Sequence, residues 1–147
     1  MPLDNRLKPS WWALRIGIGL AAFLAGVDKF FNMLTNWGMY LSPLFQRLLP
    51  INEKTLMHLV GIVEIMVGVA ILTRWTRIGA YLASMWLLLI AINLLTTGSF
   101  FDLAIRDVEI AIAAYVLARM TQANQSAIAT EYGSAPVRKS PEPAKVA

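Results

Sequence analysis

The sequence predicts an all-α polytopic membrane protein, a bundle of four transmembrane helices with an interfacial segment between helices 1 and 2. Of its 147 residues, 57% are hydrophobic and only 15% are charged, whereas soluble domains carry about 25% charged residues. The mean hydropathy is +0.56, and the apolar residues fall in four long blocks. A soluble chain of this length could not bury that much apolar surface, so lipid is the expected solvent.

The four apolar blocks run over residues 11–34, 55–73, 78–100 and 103–120. Each approaches the roughly 20 residues that a membrane-spanning helix needs. Trp11 and Trp12 open the first block, as is typical where a helix enters the membrane interface. That block lacks a clear small-residue cleavage site and continues into Asp28 and Lys29, so we interpret it as a retained helix rather than a signal peptide.

The only long connection, residues 35–54, is too apolar for a plain loop and is broken by Pro43 and Pro50. We predict a short amphipathic segment lying in the outer interface. The domain organisation then follows: residues 1–10 form a cytoplasmic N-terminal segment, and residues 11–121 form the transmembrane domain. Residues 122–147, rich in Ala, Ser, Pro and charge, are expected to be a disordered cytoplasmic tail.

Basic residues orient the predicted bundle. One side would carry Arg6, Lys8, Arg74, Arg77, Arg119, Arg138, Lys139 and Lys145. The other side would carry only Arg47 and Lys54. Because positive residues stay inside, both termini are predicted to be cytoplasmic, in a cytoplasmic (inner) membrane of the bacterial type.

Several classes of function are disfavoured by composition. The chain has no cysteine and a single histidine, His58, so it cannot alone supply a cysteine-held cluster, a bis-histidine haem site or a zinc site. We therefore expect no metal, and no cofactor held by this chain alone. The basic residues flank apolar blocks instead of forming a stripe, which argues against nucleic acid. No Ser/His/Asp set or phosphate-binding glycine loop is present.

Charged residues within the apolar blocks give the sharpest functional lead, since each costs roughly 2.5–3.5 kcal/mol to insert. In the first block Lys29 shares a helical face with the small residues Gly19 and Gly26, and with Arg15. Such a face allows close helix packing, and a packing seam with charges at its ends is the plainer interpretation.

Glu64 lies at the middle of the second block, with Gly61 and Gly68 on the same face. A carboxylate at that depth needs a positive partner, a strong donor or a proton. We interpret it as functional, while a structural salt bridge remains the alternative.

The third and fourth blocks add further polar residues. Asn93 is interpreted as an interhelical hydrogen-bonding residue. Asp102 is a plausible N-cap for the fourth helix. Arg106 is spaced to pair locally with either Asp102 or Glu109, and Asp107 faces nearly opposite Glu109.

These residues lie at similar depth toward the predicted outer side. The candidate functional cluster comprises Lys29, Glu64, Asn93, Arg106, Asp107 and Glu109. Its carboxyl groups, with Asp28, outnumber its two cations. We therefore expect at least one carboxyl to be protonated, or to bind a cation or a basic group of a partner. An apolar pocket of quinone size beside a protonated carboxyl is a hypothesis that no sequence feature demonstrates.

The chain resembles the DoxX-like family of small membrane proteins over about residues 12–120. The resemblance is carried by short motifs that are moderately specific together: Gly26 with Lys29, then Gly61, Glu64 and Gly68, then Thr73 with Arg74, then Arg106 with Asp107. It implies a four-helix membrane fold whose shared polar core is Lys29, Glu64, Arg106 and Asp107. Some relatives are subunits of thiosulfate:quinone oxidoreductase or associate with redox and oxidative-stress complexes, and many have no assigned activity.

Three functions remain open at this point. The leading one is a subunit of a quinone-linked membrane redox complex, with protein partners and lipid but no nucleic acid as its surroundings. The second is a structural or accessory subunit in which the charges serve assembly. The third is a small proton-coupled transporter, although four helices without a visible repeat would have to oligomerise for that purpose.

Overall fold

A computed structural model describes residues 6–49 and 51–133, and every regular element among them is helical. The elements are α1 (Lys8–Phe31), a 3₁₀ helix (Trp37–Tyr40), α2 (Pro43–Leu48), α3 (Glu53–Leu72), α4 (Thr76–Thr97) and α5 (Phe101–Gly133). Residues 1–5 of the predicted N-terminal segment and residues 134–147 of the predicted tail lie outside the described residues.

The helix boundaries follow local capping chemistry. Asn32, at φ 52°, ends α1 in the left-handed conformation and its N–H donates to the Asp28 carbonyl, which stops the helix before residue 34. The Asn52 side chain accepts the Lys54 N–H and starts α3. Gly98, at φ 73°, ends α4, because a left-handed residue closes a helix most easily when it has no Cβ.

α1 and α3 pack closely along a seam of glycines. A Cβ built on Gly26 would lie 2.6 Å from the Gly61 carbonyl oxygen, and one on Gly68 would lie 2.8 Å from the Gly19 carbonyl oxygen. The two backbones therefore touch where side chains would otherwise separate them. The prediction that the small-residue face of the first helix allows close approach is confirmed.

α4 and α5 form the second tight pair, packed through small alanines. The buried alanines are Ala80, Ala83 and Ala91 of α4 with Ala104, Ala111, Ala114 and Ala118 of α5. α3 also packs on α4, and α1 on α5, so the four long helices close a ring. Ile71 and Leu117 are completely buried inside it.

The connection between α1 and α3 folds as the 3₁₀ helix followed by α2, and both lie against α4. Asn93 fixes it, because its side-chain amide donates to the Tyr40 carbonyl at 2.7 Å and accepts the Ser42 N–H at 3.0 Å. We call the end of the ring that carries this connection the Trp37 end. The opposite end, where α1 begins and α3 ends, is the Arg15 end.

Three helices, α1, α3 and α4, are long and apolar enough to cross a membrane. The protein is thus an all-helical membrane protein with three candidate spans. The fourth long helix, α5, carries Asp102, Arg106, Asp107 and Glu109 in its first turns. Large apolar side chains of all four long helices point outward, as expected of surfaces in contact with lipid.

α5 continues without interruption to Gly133, so residues 122–133 are helical where disorder was expected. Residues 122–133 contain good helix formers and no proline. Contacts also hold the helix at that point: the Tyr81 hydroxyl donates to the Gln122 side chain at 2.9 Å, and the Trp11 indole donates to Thr121 at 2.8 Å. The expectation of disorder beyond residue 133 is left as a prediction.

Candidate functional site

A buried ion pair joins the two tightly packed helices of the glycine seam. Lys29 Nζ donates to Glu64 Oε2 at 2.6 Å, and the two side chains are 6% and 9% exposed. Both charges are therefore almost fully removed from solvent. Since burial of either charge alone is costly, each side chain is the other's main compensation.

The glycine seam places this pair. Lys29 follows Gly26 by three residues in α1, and Glu64 follows Gly61 by three residues in α3. Gly26 and Gly61 touch each other across the interface. Residues three apart share a helical face, so both charged side chains lie on the face of the glycine contact. Because α1 and α3 run antiparallel, Lys29 and Glu64 lie one turn to either side of that contact, and the lysine side chain reaches back to the carboxylate.

An aromatic ring from the 3₁₀ helix covers the lysine. Lys29 Nζ lies 3.7 Å from the centroid of the Trp37 ring, a cation–π contact. The Trp37 Nε1–H in turn donates to Asp28 Oδ2 at 2.8 Å. Asp28 also accepts the N–H groups of Met33 and Leu34. Its carboxylate therefore links the end of α1 to Trp37, the side chain that covers Lys29.

α5 contributes a second buried carboxylate. The Asp107 side chain is 8% exposed and its Oδ1 is 3.3 Å from an Nη of Arg106, whose own side chain is 59% exposed. Asp107 is within electrostatic range of Lys29 and of Glu64. Lys29 pairs with Glu64, while Arg106 neutralises Asp107 from the edge of the site.

An unpaired donor completes the site. The Trp86 indole approaches the Glu64 carboxyl from α4, yet its buried Nε1–H has no hydrogen-bond partner in the described part of the chain. Buried polar groups are nearly always satisfied. An orphaned N–H next to a buried carboxyl is thus a place where a ligand oxygen or a water molecule would be stabilised.

A polar cavity of about 320 Å³ opens at the Trp37 end. It is lined by Lys29, Asn32, Asn36, Gly38, Asn52, Glu53, Lys54 and Met57. Lys29 thus faces both the cavity and the buried Glu64. The ion pair therefore borders a polar cavity that opens at the Trp37 end.

The structure brings Lys29, Glu64 and Asp107 of the predicted cluster together, with Arg106 at the edge. Asn93 lies apart from them, because its amide is used to hold the connecting segment. Glu109 points outward and makes no ion pair among the described residues. Two members of the predicted cluster therefore do not belong to this site.

The local pairings predicted for Arg106 are also corrected. Its guanidinium turns to Asp107 and not to Asp102 or Glu109. Asp107 is buried, whereas Asp102 and Glu109 are exposed. A carboxylate without water gains more from a cation than one that is hydrated, and this explains the choice.

Trp37 and Trp86 were not predicted as parts of the site, Asp28 was counted only for its charge, and Arg15 was seen only as one end of a packing face. Trp37 and Asp28 reach the site through the turn that follows α1, and only the Asp28–Lys29 juxtaposition hinted at them. Arg15 lies at the other end, where its guanidinium donates to the carbonyls of Ile71, Leu72 and Thr73 at the end of α3. Unsatisfied carbonyls at a helix C-terminus are a recognisable signal for such a cation.

Within residues 6–49 and 51–133, no group of three His, Asp or Glu side chains is placed to hold a metal ion. The chemistry that this site offers is that of two carboxyls, one ammonium and one indole N–H in a dry interior. Such a set can hold or pass a proton and can hydrogen-bond a carbonyl oxygen.

The chain matches a model of a known protein family. The family model described as DoxX matches residues 10–99, a stretch that covers α1 from residue 10 onward, the connecting segment, α3 and α4. Lys29, Glu64 and Trp86 fall inside the match, whereas Arg106 and Asp107 lie beyond it. No curated protein and no solved structure matches the chain.

Proposed function

We propose that this chain, which belongs to the DoxX family, is an integral membrane subunit of a quinone-linked redox complex. One observation carries the proposal: the buried Lys29–Glu64 pair lies beside an unpaired Trp86 indole N–H. A site that binds a carbonyl oxygen and exchanges a proton uses all three groups.

The residues fit a quinone head group on chemical grounds. The Lys29 ammonium and the Trp86 N–H are donors for a quinone oxygen, and Glu64 is a carboxyl able to carry a proton. A bound quinone would supply a two-electron, two-proton couple. The electrons would come from a redox centre of a partner subunit.

Within that proposal each side chain has a distinct task. Lys29 holds Glu64 in its ionised form until a proton arrives. Glu64 then takes the proton from, or returns it to, the polar cavity at the Trp37 end. Asp107, in range of both, changes the charge balance of the pair when either group is protonated.

The finer topology belongs to the same proposal. We place α5 as a fourth span, with the 3₁₀ helix and α2 in the outer interface and both termini in the cytoplasm. Asp107 is buried with Arg106 beside it, and the exposed Asp102 and Glu109 would lie toward the outer end of the span. The positive-inside rule supports the orientation, in an inner membrane of the bacterial type.

The test is quinone reduction by the purified, assembled complex carrying Glu64→Gln. We expect at least a tenfold fall in kcat, since removal of a positioned proton-transfer group costs about 10²–10⁴-fold. Glu109→Gln is the matched control, because it removes an outward-pointing carboxyl from α5 and should leave the rate unchanged. Full activity of Glu64→Gln would refute the proton-transfer role.

A second function has a specific observation in its favour. The pair lies one turn from the backbone contact of Gly26 with Gly61, where an ion pair would hold the two helices together. In that case the chain is an accessory subunit without catalysis. The double variant Lys29→Met with Glu64→Leu separates the two ideas, because an apolar pair restores packing without a proton carrier. Activity of the folded double variant would favour the structural role of the ion pair, and loss of activity would favour the quinone site.

A further inference from the structure

A groove at the Arg15 end, remote from the ion pair, has the features of a binding site. It encloses about 520 Å³ between the start of α4 and the distal part of α5. Two arginines, Arg74 and Arg77, line it together with Trp75, Tyr81 and Gln125. The volume is within the range of small-molecule sites, roughly 300–1,000 Å³.

The groove is strongly positive. No acidic residue lines it, and neither Arg74 nor Arg77 forms an ion pair in the part of the chain that the structure describes. Two guanidinium groups three residues apart, without a carboxylate, are suited to an anionic oxygen group such as a phosphate diester.

The groove continues into a stripe of apolar side chains along α4. Ile78 and Leu82 line its inner part and are 59% and 44% exposed. Met85 and Leu89 extend the same face along α4, and both are exposed. The four residues are spaced by three or four positions, so they form one continuous stripe that begins beneath the arginines.

Aromatic residues mark the level of the head groups. Trp75 is 58% exposed beside the two arginines, and the Tyr81 hydroxyl is held at the groove wall by its bond to Gln122. Trp and Tyr are enriched at membrane–water interfaces. The arginines, the aromatic rings and the apolar stripe thus follow one another in the same order as the phosphate, the glycerol and the acyl chain of a phospholipid.

We propose that this groove binds an anionic phospholipid, with the phosphate on Arg74 and Arg77 and one acyl chain along Ile78, Leu82 and Met85. Basic pockets between membrane helices on the cytoplasmic side are suited to anionic head groups. The proposal is independent of the quinone-linked function, because the groove shares no residue with the Lys29–Glu64 site.

The experiment is native mass spectrometry of the purified full chain in detergent, with added phosphatidylglycerol or phosphatidylcholine. We expect phosphatidylglycerol to be retained preferentially, and retention to fall about fivefold for each of Arg74→Gln and Arg77→Gln. Arg119→Gln is the matched control, since it removes an exposed arginine from the distal half of α5 that does not line the groove.

Two further measurements distinguish a lipid phosphate from free phosphate as the group bound by the arginines. Competition with millimolar inorganic phosphate or with glycerol phosphate should leave the bound lipid in place if the apolar stripe contributes. Leu82→Gln should then weaken retention while leaving the arginines intact. Equal retention of both lipids, displacement by free phosphate, or an equal effect of Arg119→Gln would overturn the proposal. A folded state of every variant is checked by circular dichroism.

Discussion

At the scale of single residues, the ion pair of Lys29 with Glu64 is the feature whose disruption has the clearest consequence. Replacing Glu64 by Leu alone leaves the Lys29 ammonium buried without its partner. Breaking a buried pair from one side costs about 3–5 kcal/mol. We expect Glu64→Leu to lower the midpoint of thermal unfolding in detergent substantially.

The double variant Lys29→Met with Glu64→Leu provides the control for that measurement. It should recover most of the stability, because no uncompensated charge is left in the interior. A double variant as unstable as Glu64→Leu would show that the site depends on its charges for reasons other than mutual compensation.

Arg15 is the second residue with a sharply defined role. Its guanidinium satisfies three carbonyls at the end of α3 and lies over the Trp11 and Trp12 rings, 5.0 and 4.9 Å from their centroids. We expect Arg15→Gln to destabilise the protein by about 1–3 kcal/mol, since hydrogen bonds to a charged group are lost. Arg119→Gln, measured by the same thermal unfolding, should be near neutral; an equal loss would refute the capping role.

Some of this residue-level picture was predictable and some was not. Lys29 and Glu64 were identifiable because a charge in an apolar block stands out, and because each follows a glycine at one turn. Their neighbour Trp37 was not identifiable as the side chain that covers Lys29, since its position depends on a 3₁₀ turn that no apolar period reveals. Asp107 and Glu109 were predicted to face nearly opposite directions, and only the rotation of α5 shows which carboxyl is buried and which is exposed.

At the scale of helices, the contact of α1 with α3 depends on backbone approach. A Cβ on Gly26 would meet the Gly61 carbonyl oxygen and the Ile65 N, and backbone atoms cannot move aside as a flexible side chain does. We expect Gly26→Ala to cost about 1–3 kcal/mol and to loosen the Lys29–Glu64 pair. Thermal unfolding in detergent measures this loss.

Gly17 offers the matched control in the same helix, because nothing lies within 4 Å of a Cβ built there. Gly17→Ala should be neutral or slightly stabilising, since alanine is the better helix former. Equal destabilisation by the two substitutions would mean that helix flexibility, and not the seam, is what glycine supplies.

Asn93 holds the connecting segment to α4. Loss of the hydrogen bonds to Tyr40 and Ser42 in Asn93→Leu should release the 3₁₀ helix and α2. We expect faster amide hydrogen exchange across residues 37–48, with protection of α3 unchanged. Thr96→Val, on an exposed side of α4, is the control, and unchanged exchange in Asn93→Leu would show that apolar contacts alone hold the segment.

The helices themselves were predicted well where the apolar blocks are long, and the seam on α1 was predicted from spacing alone. The end of α5 was not, because the loss of apolar period after residue 121 signals only the end of membrane-like composition. A helix of alanine and polar residues continues as long as good helix formers persist and proline is absent. Composition therefore located the membrane-like part of α5 but not the end of the helix.

At the scale of the whole molecule, the number of spans decides whether the two termini lie on the same side of the membrane. Three helices meet the requirements of length and hydropathy, and with three spans the two termini would face opposite sides. With α5 as a fourth span they face the same side. We propose four spans, because α5 is packed on both α4 and α1.

Site-directed labelling can measure this directly, since the chain has no cysteine of its own. We expect Lys8→Cys and Ala129→Cys to react with a membrane-impermeant maleimide only after the inner membrane is opened, and Ser99→Cys to react in intact spheroplasts. All three positions are exposed, so accessibility depends on the side of the membrane and not on burial. If Ala129→Cys reacts in intact spheroplasts while Lys8→Cys does not, α5 does not span. The polar cavity at the Trp37 end would still face outward, but Asp107 would then need another explanation for its burial.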